Sequence, residues 1–141
     1  MEPASTKFTK HESDGKHLVQ QHSNLIDGHS LLWTRGYVVP EAVDFAESDR
    51  VIERMNAENY AGFSDWRKPT PQERFLLSDL TKVPAIDTEY FEGERYGYEW
   101  TSMVSASSPS DVAWCVNFSY GLSSYYSQGY ECFVRAVRSS Q

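Results

Sequence analysis

NYAGFSDWRKPTPQE, residues 59–73, carries the densest local instruction in this chain. Gly62 marks the end of whatever helix precedes it. Thr70, Pro71 and Glu73 together read as a helix start. The hydroxyl caps, the proline sits where a missing N–H costs nothing, and the carboxylate meets the positive end of the dipole. Between these signals lie Trp66 and Arg67. They read as a packed aromatic and a buried or half-buried charge that holds loop backbone, because the five donors of Arg can satisfy several carbonyls or a carboxylate at once.

Working upstream, EAVDFAESDRVIERMNAENY (41–60) places Ala42, Phe45, Ala46, Ile52 and Met55 at mostly three- and four-residue spacings after Pro40. That predicts an amphipathic helix of about five turns. HLVQQHSN and HSLLWTRG flank Asp27-Gly28, so residues 17–22 and 29–34 are expected to form a hairpin. Residues 1–16 are expected to be a loose or partner-docked arm, and residues 17–141 a single domain.

Downstream, PQERFLLSDL (71–80) predicts a short helix with Phe75, Leu76 and Leu80 facing inward. VPAIDTEYFEGERYG (83–97) is irregular but packed through Ile86, Tyr90 and Phe91. From there the pattern turns to β. YGYEWTSM, VAWCVNFSY, LSSYYS and ECFVRAVR read as four strands, with a Ser-rich loop at 103–111. Helices in the first half and a mainly antiparallel twisted sheet in the second define an α+β domain, two helices packed on the sheet. Trp33, Trp100 and Trp114 are expected in its core.

The net charge of −7 over 141 residues, with no stretch rich in Lys and Arg, argues against nucleic acid as a partner. No apolar run approaches the ~18 residues of a membrane span, so no membrane insertion is expected. The polar N-terminus lacks the apolar core of a secretory signal. The reading is therefore a leader already removed, or exit by another route such as a virus particle. His11, His17, His22 and His29 crowd the first 29 residues. His17 and His22 point to opposite faces of one strand, which spoils them as co-ligands.

The segments NYAGFSDWRKPTPQE, PAIDTEYF, YEWTS, AWCVNFSYG and FVRAVR, in this order and spacing, resemble the DUF1566 or Lcl C-terminal domain family. SLLWTR (30–35) fits its early Gly-Leu-Met-Trp-like strand, with Ser30 in place of the glycine. The resemblance spans residues 17–138. GFSDWRKPT is its most specific piece, followed by VRAVR, which carries Arg135. It implies a C-type-lectin-like fold, related to the variable proteins of diversity-generating retroelements. Lys68 departs from a usually apolar position. Ala136 stands where the family commonly has cysteine, so a family-style disulfide at that position is impossible here.

No nucleophile–base pair or metal cluster emerges, so no catalytic residue and no metal ligand is assigned. Sulfatase-modifying enzymes of the formylglycine-generating kind resemble this fold and use a cysteine pair. The strand assignment here puts Cys115 and Cys132 on the first and third strands of the run 113–138, about 9–10 Å apart. That exceeds the roughly 7 Å limit for a disulfide. Two unpaired, inert thiols are expected. No cofactor is expected. Calcium-binding lectins use Glu-Pro-Asn or Gln-Pro-Asp loops, which Val39-Pro40 and Val83-Pro84 do not match. Calcium stays open as the alternative, since Asp87, Glu89, Glu92 and Glu94 are close in sequence, though they read as solvated surface.

SYGLSSYYSQGYECF (119–133) remains. Tyr gives rigid amphipathic area, and Ser and Gly give adaptable hydrogen bonding, as in binding loops. The other reading is a structural hairpin with half-exposed tyrosines. The resemblance maps this region onto the ligand-binding face, which implies contacts from Asn117, Tyr120, Ser123, Ser124, Tyr125, Tyr126, Ser127, Gln128 and Tyr130. Trp66, Arg67, Trp100, Trp114 and Arg135 are then structural. The function so implied is non-catalytic binding of a host or cell-surface protein or glycan, from an extracellular surface or a phage virion. The chain is expected to form a homo-oligomer, for example a trimer, or a larger assembly. The alternative is a structural or decoration subunit that uses the same face for subunit contacts.

Overall fold

The computed structural model describes residues 7–22 and 28–140. Two antiparallel sheets and two helices make up the α+β architecture. The expected single sheet is therefore split in two. β1 (Phe8–Ser13), β2 (Lys16–Gln21), β3 (Ser30–Thr34) and β7 (Val137–Ser140) form one sheet in the order β1-β2-β3-β7. β4 (Tyr98–Val104), β5 (Val112–Asn117) and β6 (Ser123–Ser127) form the other, in the order β4-β5-β6.

Residues 8–13, expected in a loose or partner-docked arm, form β1 and pair along their length with β2 of the same chain, from Phe8↔Gln21 to Ser13↔Lys16. Asp14 and Gly15, both at positive φ (54° and 75°), make the connecting turn, the conformation a two-residue hairpin needs. The β2–β3 pairing follows the expected hairpin, with Leu18↔Thr34 and Gln20↔Leu32 in register. Asp27, of the turn expected between these strands, lies outside the described residues.

The first sheet is covered on both faces, which is why Leu31 to Thr34 are all buried. Val19, Leu31, Trp33 and Val137 pack against Leu77, Ile86, Phe91 and Phe118. Leu18 and Leu32 point the other way, onto Met55, Ala61 and Trp66.

α1 (Phe45–Ala57) is shorter than the periodicity suggests. Val43 exchanges backbone hydrogen bonds with Cys132 (2.8 and 2.9 Å), and Asp44 then caps the helix by accepting from the Glu47 N–H. Tertiary pairing thus claims the residues after Pro40. Beyond α1, the Asn56 amide clamps Trp66 through both its N–H and its C=O, and the indole donates to the Tyr60 carbonyl.

α2 (Pro71–Phe75) begins as expected, with a reciprocal Thr70–Glu73 capping box. Its inward face differs. Phe75 is 42% and Leu80 65% exposed, Leu76 is half-buried, and Arg74 and Leu77 point inward. The helix is too short to carry a periodic stripe to Leu80, and Arg74 is drawn to a buried carboxylate.

That carboxylate, Glu99 on β4, joins the elements. Arg74 Nε donates to it at 2.7 Å and Arg135 Nε at 2.9 Å; both guanidinium groups and the carboxylate are essentially fully buried. Tyr37 donates from its hydroxyl at 3.0 Å. Arg135 spends its remaining donors on the carbonyls of Thr34, Arg35 and Glu92. Of the roles expected of Arg67, half-buried engagement of a carboxylate is what the structure shows, and the fully buried guanidinium that holds loop backbone is that of Arg135. Arg67 is 40% exposed and forks onto Glu73.

The last expected strand, ECFVRAVR, is mostly not a strand. Residues 132–136 cross between the sheets through single bridges, Val43↔Cys132 and Glu99↔Phe133, and only β7 pairs fully, with β3. This overturns the expected placement of Cys132 beyond the LSSYYS strand. Cys132 flanks β4 rather than β6, and its side chain shares one apolar cluster with Cys115, Phe45 and Trp100. Hydrogen bonding to Cys115, reinforced by burial, pushes the Cys132 thiol well up. Both cysteines are free and buried.

Candidate recognition surface

The strand alternation of β6 sorts the tyrosines. Tyr125 lies opposite Trp114 and Tyr126 opposite Ala113, so consecutive tyrosines leave the sheet on opposite faces. On one face the Tyr125 and Trp114 rings meet edge to face, centroids 5.3 Å apart. On the other, Tyr126 stacks on Tyr130 at 4.7 Å and meets Tyr98 at 5.1 Å. Tyr98 and Tyr126 border the cluster of Phe45, Trp100 and the two cysteines. A hydrogen bond with Tyr98, then burial, pushes the Tyr126 phenol up to about 12.

The nine residues implied as a ligand surface therefore do not form one patch. Tyr125 is 65%, Tyr120 56% and Tyr130 51% exposed, and Leu122 joins them at 58%. Ser123 and Ser127 are exposed as well, while Ser124 and Tyr126 are half-buried. Asn117 is buried and accepts the Tyr120 N–H at 2.9 Å, so it shapes the turn at 117–121. Gly121 completes that turn at φ +68°, tight against Ser78. Gln128 donates to the carbonyls of Pro109 and Val112, which ties down the Ser-rich loop. Ser127 Oγ accepts from the Gly129 N–H. Of the residues assigned to structure, Trp66, Trp100 and Arg135 are buried. Trp114 is only half-buried, one ring face shared with Tyr125.

From Val112 to Tyr130 there is no Asp, Glu, Lys, Arg or His. A surface of exposed phenol rings and a half-buried indole, with hydroxyls and no formal charge, can stack on a flat partner and hydrogen-bond at its rim.

Elsewhere, a cleft of about 720 Å³ lies between α1 and the 67–70 loop, with Phe45, Asp49, Ile52 and Lys68 in its wall. Lys68 is buried. Its ammonium is 2.9 Å from Ser48 Oγ and from Asp49 Oδ1, and 3.6 Å over the Phe45 ring. Burial pulls its pKa down, opposed by Asp49. Among the described residues, no three His, Cys, Asp or Glu side chains converge as a metal site. Asp87 accepts the Glu89 N–H, and Glu92 faces Arg35 at 3.8 Å. His17 pairs with Glu12, and His22 with Thr9. No helix among the described residues is long and apolar enough to cross a membrane.

These features define a small α+β domain of two antiparallel sheets with an uncharged aromatic surface on the second. The family model of the Lcl C-terminal domain matches residues 27–138, and the chain belongs to that family. No curated protein matches it.

Proposed function

We propose that this protein is a non-catalytic recognition module of C-type-lectin-like architecture, which binds a host or cell-surface protein or glycan from a virion or cell surface. The observation that carries the reading is the Trp114–Tyr125 pair, an exposed phenol against a half-buried indole on a sheet face, within a charge-free stretch of an acidic chain. Aromatic residues that pair rigid area with a polar edge are those that dominate binding hot spots. The surface is narrower than the sequence implies: Trp114, Tyr125, Tyr120 and Ser123 make contact, while Asn117, Gln128 and Tyr126 support from behind. Binding rests on stacking and direct hydrogen bonds and needs no calcium.

A panel of glycans and surface proteins, screened with the wild type and with Tyr125→Ala, tests this. Tyr125→Ala should lose at least tenfold in affinity while melting within a few degrees of the wild type. Equal binding by the variant, or binding abolished by EDTA, rejects the reading.

A further inference from the structure

We propose that β6 pairs edge to edge with β6 of a second copy of this chain, antiparallel about a two-fold axis through Tyr125. β6 is the last strand of its sheet and has a strand partner on one side only, among the described residues. Its backbone phase follows from the bonds that bracket it. Asn117 donates to the Leu122 carbonyl and Gln128 to the Asp111 carbonyl. Antiparallel ladders bond at every second pair. In the observed register, Ser124 and Tyr126 therefore bond to β5, and the N–H and C=O groups of Ser123, Tyr125 and Ser127 point outward.

An open strand edge templates pairing, and proteins guard such edges with charge, proline or bulges. The opposite sheet is guarded: β1 carries Lys10, His11 and Glu12, and β7 carries Arg138. β6, Ser-Ser-Tyr-Tyr-Ser, carries no such guard. The same absence selects the occupant. Two copies, each with net charge −7, meet with least repulsion along the charge-free stretch 112–130. An antiparallel pair about Tyr125 sets Ser123 of one copy against Ser127 of the other and lines up the outward N–H and C=O of the two Tyr125 residues; the Ser127 carbonyl, which already accepts the Tyr130 N–H at 2.9 Å, takes the Ser123 N–H of the second copy on its other lone pair. This is the self-complementarity that an isologous interface requires. The resulting six-stranded sheet brings the two Tyr125 rings side by side, with a Trp114 flanking each. The pairing stands apart from the recognition reading; only the use of this doubled platform for a ligand rests on it.

A five-residue edge is small for an interface, so the dimer is weak and concentration-dependent. Sedimentation equilibrium across a series reaching the near-millimolar range should show the mass rise from 16.2 kDa towards twice that value. Tyr125→Pro removes an outward N–H that bonds nothing among the described residues of its own copy, and proline is tolerated at such edge positions. Ser123→Lys places a guarding charge on the edge and covers the case in which the proline variant misfolds. Each folded variant should stay at the single-chain mass throughout, with an unchanged circular dichroism spectrum. The proposal is overturned by a wild type that remains single, by a mass that climbs past two copies, or by Ser123→Lys associating as the wild type does.

Discussion

Glu99→Gln removes the negative charge between two buried guanidinium groups while keeping the side-chain volume. Burial, the largest single influence on Glu99, works to raise its pKa; the charges of Arg135 and Arg74, with their hydrogen bonds, outweigh it and hold the carboxyl at about 2 against an ordinary 4.5. At ~1.4 kcal/mol per pH unit, that depression is worth about 3 kcal/mol at neutral pH. Because the folded-state value is lowered, this stability is fully present above pH 4.5 and is lost as the pH falls towards 2. The substitution also strands buried positive charge, which typically costs about 3–5 kcal/mol, a large share of the ~5–15 kcal/mol that holds a domain together. Urea unfolding at pH 7 should show a lower midpoint with an unchanged m-value, and the melting temperature should fall by about 10–20 °C. Between pH 5 and 2.5 the wild type should lose stability more steeply than the variant, the difference isolating Glu99 from the other carboxylates. A loss below ~1 kcal/mol at pH 7, or parallel acid profiles, would refute the reasoning.

Three further outcomes are expected. Gly121→Ala places a Cβ 2.6 Å from Ser78 Oγ at φ +68° and should cost about 1–3 kcal/mol in urea unfolding; a neutral result would mean that the 117–121 turn yields. Ultraviolet titration should find the phenols of Tyr37, Tyr60 and Tyr126 ionising above the ordinary range, and Tyr98→Phe should bring down that of Tyr126 alone; an unmoved titration would contradict the Tyr98 hydrogen bond. Thiol labelling under native conditions should be slow at both cysteines and become fast only in denaturant, since both are buried and the Cys132 thiol is raised. Fast native labelling of Cys132 would show that the cluster around Phe45 and Trp100 opens.

Much of the local structure was legible because its causes are local. The Thr70–Glu73 capping box needs only residues within one turn. The β2–β3 pairing and the first two strands of the second sheet follow from alternation and β-rich composition. The β1–β2 hairpin was legible too, but unread: Asp14-Gly15 between FTKHES and KHLVQQ is the same turn signal as Asp27-Gly28. The misreadings share another cause. Cys132 and Val43 have no local reason to meet, and their pairing both shortens α1 and brings the cysteines together. Arg74 faces inward because Glu99, far along the chain, supplies the counter-charge.

The tyrosine-rich stretch draws the same line most clearly. Composition alone establishes that residues 112–130 are uncharged, aromatic and hydroxyl-rich, because those are properties of side chains wherever they lie. Which ring meets solvent depends on the phase of β6 against β5, and that phase is a property of pairing. One step along the strand sends Tyr125 outward beside Trp114 and Tyr126 back over the buried cluster. Only the tertiary structure decides it, since a strand has two faces and its neighbours determine which is covered.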